Sequence, residues 1–201
     1  MSNKFLCYYV LIFTDFYIFV HKCIFYKSIL IMSTYTEDQR KVTTRRLTEM
    51  KMRGEELKDY TFDTVYFGGG TPSYIPPKLI LGAMNRIREC FKLTKDAEIT
   101  LELNPGTIGE SKVKTYLEAG INRFSIGLQT AIDSQLADLN RIHNARDYVF
   151  ATKLLKGQNF STDVMLGLKN QTKDDVQKTI ELAAACGSKH ISMYALTVED
   201  G

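Results

Sequence analysis

From Asp63 onward, short runs rich in β-branched and aromatic residues alternate with stretches whose apolar positions recur every three to four residues. The β-rich runs predict strands at Asp63–Phe67, Glu98–Leu103, Asn122–Leu128, Ser161–Leu166 and His190–Leu196. The 3.6-residue pattern predicts helices near 77–91, 110–119, 145–156 and 172–185, with an earlier helix at roughly 36–58. In the first, Leu79, Ile80, Ala83, Met84, Ile87 and Phe91 form one apolar stripe. The last opens on Thr172 with Asp175 three residues on, a capping-box arrangement, and stops at Gly187, where a left-handed residue ends a helix cheaply. Strands separated by helices imply a parallel sheet, doubly wound or closed towards a barrel. The expected fold class is α/β, a partial and truncated barrel, because five clear units fall short of eight and no helix follows the last strand.

Composition adds an asymmetry. The 201 residues are 44% hydrophobic and 24% charged, with a net charge of +3, which is ordinary globular composition. No basic run is dense enough to argue for nucleic acid, and no low-complexity tract argues for disorder. Yet nine of the 22 aromatic residues fall within residues 1–31, and none of the 13 glycines or 4 prolines precedes Gly54. Residues 1–31 therefore read as an atypical N-terminal segment, and residues 32–201 as the barrel. The longest uncharged run there, Phe5 to Thr14, is far too short for a membrane span, and no small-residue cleavage site follows it. A buried strand at Phe16–Val20 is one reading of the segment, and a mis-assigned start is another. Cys7, Cys23, Cys90 and Cys186 form no C-x-x-C pair and no zinc spacing, so a reducing, cytoplasmic chain is expected.

In parallel α/β folds, chemistry gathers at the carboxyl ends of the strands. The first predicted strand runs into Gly68-Gly69-Gly70-Thr71-Pro72, where the missing Cβ atoms let backbone groups approach a ligand. Glu102 sits among Ile99, Leu101 and Leu103, a costly place for a carboxylate unless it finds a polar mouth or a partner. Gln129 ends the third strand and Asp163 lies in the fourth. Each alone is as readily a satisfied structural group as a ligand contact; together they would ring one rim. Arg141 offers a cation for a carboxylate. His143 and His190 are too isolated to be metal ligands; His190 reads as a packed or capping histidine and Tyr194 as core. No nucleophile–base arrangement emerges from the spacing.

The stretch Val65-Tyr-Phe-Gly-Gly-Gly-Thr-Pro-Ser73 resembles the glycine motif of radical S-adenosylmethionine (SAM) proteins. The resemblance is to the oxygen-independent coproporphyrinogen III oxidase and radical-SAM haem chaperone branch. It continues through Glu98–Gly106, Gly120–Gln129, Arg141–His143, Asp163–Leu168 and His190–Tyr194, in collinear order over about residues 60–201. The glycine motif and Arg141-Ile142-His143 lean towards the chaperone side. The resemblance implies a (β/α)6 partial barrel of the TIM-like, radical SAM type. It implies SAM held by Gly69, Gly70 and Thr71 at its amino end, by Arg141 at its carboxylate, and by Glu102, Gln129 and Asp163 elsewhere. It further implies a [4Fe–4S] cluster, a porphyrin or haem as small-molecule partner, a haem-accepting protein, no nucleic acid and no membrane span. The location implied is cytoplasmic, or mitochondrial in a eukaryote.

One departure matters. The family holds its cluster with C-x3-C-x2-C, and the corresponding stretch here, Phe19-Val-His-Lys-Cys23-Ile-Phe-Tyr26, keeps only Cys23 as a metal ligand. Phenylalanine cannot ligate iron, and cluster ligation needs soft thiolates. A chain with this segment is expected not to assemble the usual cluster and to be inactive as an oxidoreductase. Lys169 also replaces the proline usual after Gly-Leu, a milder change. The alternatives are a cluster-less SAM- or haem-binding protein without redox catalysis, and an unrelated (β/α) enzyme using the glycine turn for a phosphate.

Overall fold

The computed structural model describes residues 7–12, 22–23, 28–33 and 50–196, and side chains within 50–196. The predicted strand at Phe16–Val20 lies outside the described residues, as does most of the helix expected at 36–58, of which residues 50–56 (α1) are helical. The chain divides into two compact units, the first made of Met1–Glu102 and Lys114–Asn122, the second of Leu103–Val113 and Arg123–Gly201.

In the first unit β1 (Cys7–Ile12), β3 (Ser28–Ser33), β4 (Thr61–Gly70) and β5 (Lys92–Leu103) run parallel. The two-residue β2 (Lys22–Cys23) pairs antiparallel with β1. Ile29 is opposite Val65, and Val65 is opposite Ile99, so the ladder carries apolar residues across. β4 and β5 are longer than the alternation predicts, because Thr61 and Phe62 pair with Lys92 and Leu93 before the register shifts to Thr64–Glu98. Hydrogen bonds across that irregularity extend both strands into residues whose own pattern is mixed. Helix α2 (Pro77–Cys90) begins on two prolines, tolerated where the first N–H groups have no partner anyway. It buries Ile80, Met84 and Ile87 of the predicted stripe, while Leu79 is exposed. Phe62 and Phe91 meet edge to face with ring centroids 5.5 Å apart. Helix α3 (Glu110–Glu118) follows β5 in the chain, where the 3.6-residue pattern predicts it.

In the second unit β6 (Arg123–Gln129), β7 (Asn159–Leu166) and β8 (His190–Ala195) are parallel. The helices α4 (Asp133–Asp138), α5 (Ala145–Leu154) and α6 (Lys173–Ala185) follow the predicted pattern, α4 excepted, which had no sequence signal. The predicted capping box of α6 is present: the Thr172 hydroxyl accepts the Asp175 N–H, and the Asp175 carboxylate accepts the Thr172 N–H. Gly187 takes φ +87° and ends the helix as expected. Alternate residues of β6 and β7 differ in character. Phe124, Ile126, Leu128, Phe160 and Val164 are buried core, whereas Ser125, Ser161 and Asp163 present a polar set on the other side. Tyr194, read as core from its strand, is 57% exposed, since β8 hydrogen-bonds to β7 alone among the described strands. His190 is likewise exposed rather than packed. Among the described residues no helix is long and apolar enough to cross a membrane.

Candidate functional site

The glycine turn at the end of β4 belongs to the first unit. Gly69 and Gly70 have φ of 77° and 63°, a region in which a Cβ is strained. Gly68 is needed for space: a Cβ there would lie 2.6 Å from the Tyr66 ring and 2.9 Å from Glu102 Oε1. The reason is the carboxylate that follows one strand over. Tyr66 is opposite Thr100, so Glu102, two residues on, shares a strand face with Thr100 near the turn. The Tyr66 hydroxyl donates to Glu102 Oε1 at 2.7 Å, and the Gly69 N–H donates to Oε2 at 3.1 Å. The half-buried carboxylate thus has the partners its position demands, and it fastens the turn. Thr71 leads into the 3₁₀ turn Pro72–Tyr74, accepting the Tyr74 N–H on its carbonyl while its side chain makes no capping bond.

Two groups form in the second unit. Gln129 ends β6 with φ 68°, unusual for a residue with a side chain. Gly127 makes room beside it: a Cβ at 127 would lie 2.6 Å from Gln129 Nε2 and 2.9 Å from a terminal nitrogen of Arg141. Gln129 and Arg141 therefore converge over one bare stretch of backbone. Arg141 is half-buried, its Nε has no hydrogen-bond partner among the described residues, and burial pushes its pKa down. An under-satisfied guanidinium is suited to an oxyanion.

Asp163 is held differently. Its carboxylate accepts from Ser125 at 2.8 Å and from the Ser192 hydroxyl of the adjacent strand. Burial raises its pKa, opposed by those two bonds and by the charges of Arg123 and His190. Arg123 in turn donates to Ser161 at 3.2 Å, and Ser161 to Ser125 at 3.3 Å. Asp163 is the hub of a polar network on one face of β6, β7 and β8.

Of the seven predicted cofactor contacts, Gly69, Gly70, Thr71 and Glu102 therefore form one group, Gln129 and Arg141 a second, and Asp163 a third. Sequence reasoning missed Tyr66, whose i, i+2 spacing from Gly68 puts both on one face of β4. It also passed over Ser125 and Ser192 as partners of Asp163, and treated His143 only as an unconvincing metal ligand.

Of the three thiolates that a cluster with C-x3-C-x2-C spacing needs, the sequence offers Cys23 alone. Cys23 lies in β2, where its register partner is Cys7 of β1. Cys90 ends α2 and Cys186 caps α6; both are free thiols. Among the described residues no three His, Cys, Asp or Glu side chains gather as metal ligands. Phe19 and Tyr26, which occupy the two remaining positions of the C-x3-C-x2-C spacing, lie outside the described residues.

The chain matches the radical SAM superfamily over residues 23–183. It is 37% identical over 145 residues to the heme chaperone HemW of Buchnera aphidicola, a match covering 71% of this chain and 39% of the relative. It is 35% identical over 150 residues to HemW of Escherichia coli, covering 73% and 38%. It is 36% identical to the mitochondrial radical S-adenosyl methionine domain-containing protein 1 of Bos taurus, covering 69% and 32%. The chain thus spans about two fifths or less of the length of these relatives. The structure of coproporphyrinogen III oxidase HemN from Escherichia coli, a radical SAM enzyme, superposes with a TM-score of 0.71 at 23% identity, covering 81% of this chain and 39% of that one. The fold is a partial barrel of that type.

Proposed function

We propose, from the premise that this chain belongs to the radical SAM superfamily, that it is the SAM-binding part of a protein of haem or porphyrin handling. The names of its relatives, heme chaperone and coproporphyrinogen III oxidase, support that substrate class. The observation that carries the SAM reading is the glycine turn with a carboxylate fixed to its own backbone, Glu102 on Gly69 N–H. An ammonium group is recognised by carbonyl and carboxylate oxygens, and Gly69, Gly70 and Thr71 expose backbone beside that negative charge. The family resemblance gives Arg141 the carboxylate of SAM, and its guanidinium, whose Nε has no partner among the described residues, suits that group. Gln129 and Asp163 complete the set as polar contacts to the remainder of SAM.

With its three thiolates in place the family's cluster supplies the electron that cleaves the SAM sulfonium. This chain's residues do not fit that group, so no radical step is assigned to it. We read residues 1–31 as a degenerate cluster-loop segment, which also carries β1 and most of β3 of the sheet, and residues 32–201 as the rest of the barrel, inactive in radical chemistry. The single Cys23 in place of three cysteines favours a second reading: a cluster-less protein that binds SAM or haem without redox catalysis. The compartment we assign is the cytoplasm, or the mitochondrion in a eukaryote, and a haem-accepting protein is the macromolecular partner.

Anaerobic reconstitution with iron and sulfide, followed by absorbance in the iron–sulfur charge-transfer region with and without SAM, tests both readings. SAM binding without brown colour is the expected result. Formation of a full cluster would overturn the assignment of a disabled loop. Absence of SAM affinity, together with competition by a phosphorylated ligand at Gly68–Gly70, would overturn the SAM reading itself.

A further inference from the structure

We propose that His143 is a positioning residue: by donating Nε2–H to the Leu128 carbonyl it holds Gln129 in a strained left-handed turn and so presets the pair Gln129–Arg141 for a ligand. The ligand consequence rests on the SAM reading above; the backbone geometry does not.

Gln129 is where the strain lies. Its φ is 68°, and the Thr130 N–H closes back onto the Leu128 carbonyl at 2.9 Å, making a three-residue turn centred on Gln129. A γ-turn with positive central φ is the rare, strained form, and a side chain at that position makes it costlier. Such a conformation persists only where its surroundings over-determine it. Beyond the turn, Thr130 is fully buried, its hydroxyl donating to Gln135 and accepting the Ile132 N–H, while the Ala131 N–H donates to Thr179. On the near side the clamp is His143, whose Nε2 lies 3.3 Å from the same Leu128 carbonyl. A carbonyl oxygen only accepts, so Nε2 carries the proton and Nδ1 the lone pair. The oxygen accepts from both His143 and Thr130.

Packing alone does not account for an imidazole here. His143 is 4% exposed, with its Cβ 3.4 Å from where a Cβ of Gly106 would stand, and its Nδ1 is buried without a partner among the described residues. Leucine or methionine would fill comparable space without burying an unsatisfied nitrogen. What the imidazole adds is a side-chain donor on the Leu128 carbonyl, beside the backbone N–H of Thr130. His143 also lies two residues from Arg141, whose backbone N–H is anchored on the Leu136 carbonyl. One short segment therefore sets the carbonyl before Gln129 and the guanidinium that meets Gln129 over Gly127.

The test compares the 201-residue chain with His143→Gln, which keeps an N–H donor, and His143→Met, which keeps bulk and loses it. Long-range ¹H–¹⁵N spectra of the histidines should show His143 neutral with the proton on Nε2; a proton on Nδ1 overturns the proposal. SAM titration by calorimetry should show affinity falling about tenfold in His143→Met and recovering to within about threefold in His143→Gln. Unchanged affinity in a folded His143→Met overturns the proposal. A third comparison does not need SAM. Gln129→Gly removes the strain at positive φ, so His143→Met should lower the melting temperature less when combined with Gln129→Gly than when Gln129 is kept. Equal losses in both backgrounds overturn the positioning role. If the unaltered chain binds no SAM while the tautomer and the melting-temperature coupling hold, the SAM reading fails and the positioning role stands.

Discussion

The Tyr66 hydroxyl donates to Glu102 Oε1 at 2.7 Å across 36 residues of sequence, and the same carboxylate accepts the Gly69 N–H. A side chain that resemblance alone makes a cofactor contact is thus also the fastening of the glycine turn. Removing Tyr66's hydroxyl leaves Glu102 one donor short, whereas removing the carboxylate strands two donors at once. Tyr66→Phe should therefore cost about 1 kcal/mol of stability, and Glu102→Ala more. Thermal unfolding of both variants checks the order, and a Glu102→Ala no less stable than Tyr66→Phe would refute the account.

The glycines of the turn should tolerate no side chain, for two different reasons. Gly69→Ala meets strain at φ 77°, about 1–2 kcal/mol. Gly68→Ala meets the Tyr66 ring and Glu102 Oε1 instead. Combining Gly68→Ala with Tyr66→Ala should return part of the lost stability, while Gly69→Ala should gain nothing from it. Denaturation midpoints of the single and combined variants distinguish the two mechanisms.

Acid should weaken the fold through His143. Burial pushes its pKa below the ordinary 6.5, with the Leu128 carbonyl pulling it up, the Arg141 charge pushing it further down, and Asp147 and Asp133 pulling it up. Because the unfolded chain binds a proton that the folded chain refuses, stability is fully present above pH 6.5 and falls as pH drops towards the folded value. The slope between about pH 6.5 and 5 should be shallower in His143→Gln, measured by chemical denaturation at several pH values.

At the start of α6, Thr172→Ala should cost about 1 kcal/mol, since it releases the Asp175 N–H from the capping box. Thr172→Ser should lose little. Melting temperatures of the pair test whether the reciprocal bonds, rather than the bulk of Thr172, hold the helix start.

Restoring the spacing should restore metal chemistry. Phe19→Cys with Tyr26→Cys recreates C-x3-C-x2-C around Cys23. After anaerobic reconstitution the double variant should acquire iron–sulfur absorbance that the unaltered chain lacks. A variant that stays colourless would point to a fault in the segment beyond its missing thiolates.

The alternation of short β-rich runs with amphipathic stretches was sufficient to determine the strands β4 to β8 and the helices α2, α3, α5 and α6, because period and caps are local properties. Thr172, Gly187 and the apolar stripe of α2, Leu79 excepted, behave as their sequence context dictates. The glycine motif likewise announces itself, as does the missing pair of thiolates around Cys23. Local pattern could not supply the strands at Cys7–Ile12 and Ser28–Ser33, whose pairing reaches β4 from an aromatic-rich segment without turn residues. Nor could it tell that Glu102 closes on Tyr66 and Gly69, that Asp163 is engaged by Ser125 and Ser192, or that Gln129 is bent to positive φ beneath His143. Those are hydrogen bonds between residues made neighbours by strand register and turn geometry. Sequence determined which residues are available to the site; tertiary structure decided which of them are free to meet a ligand and which are held by the chain itself.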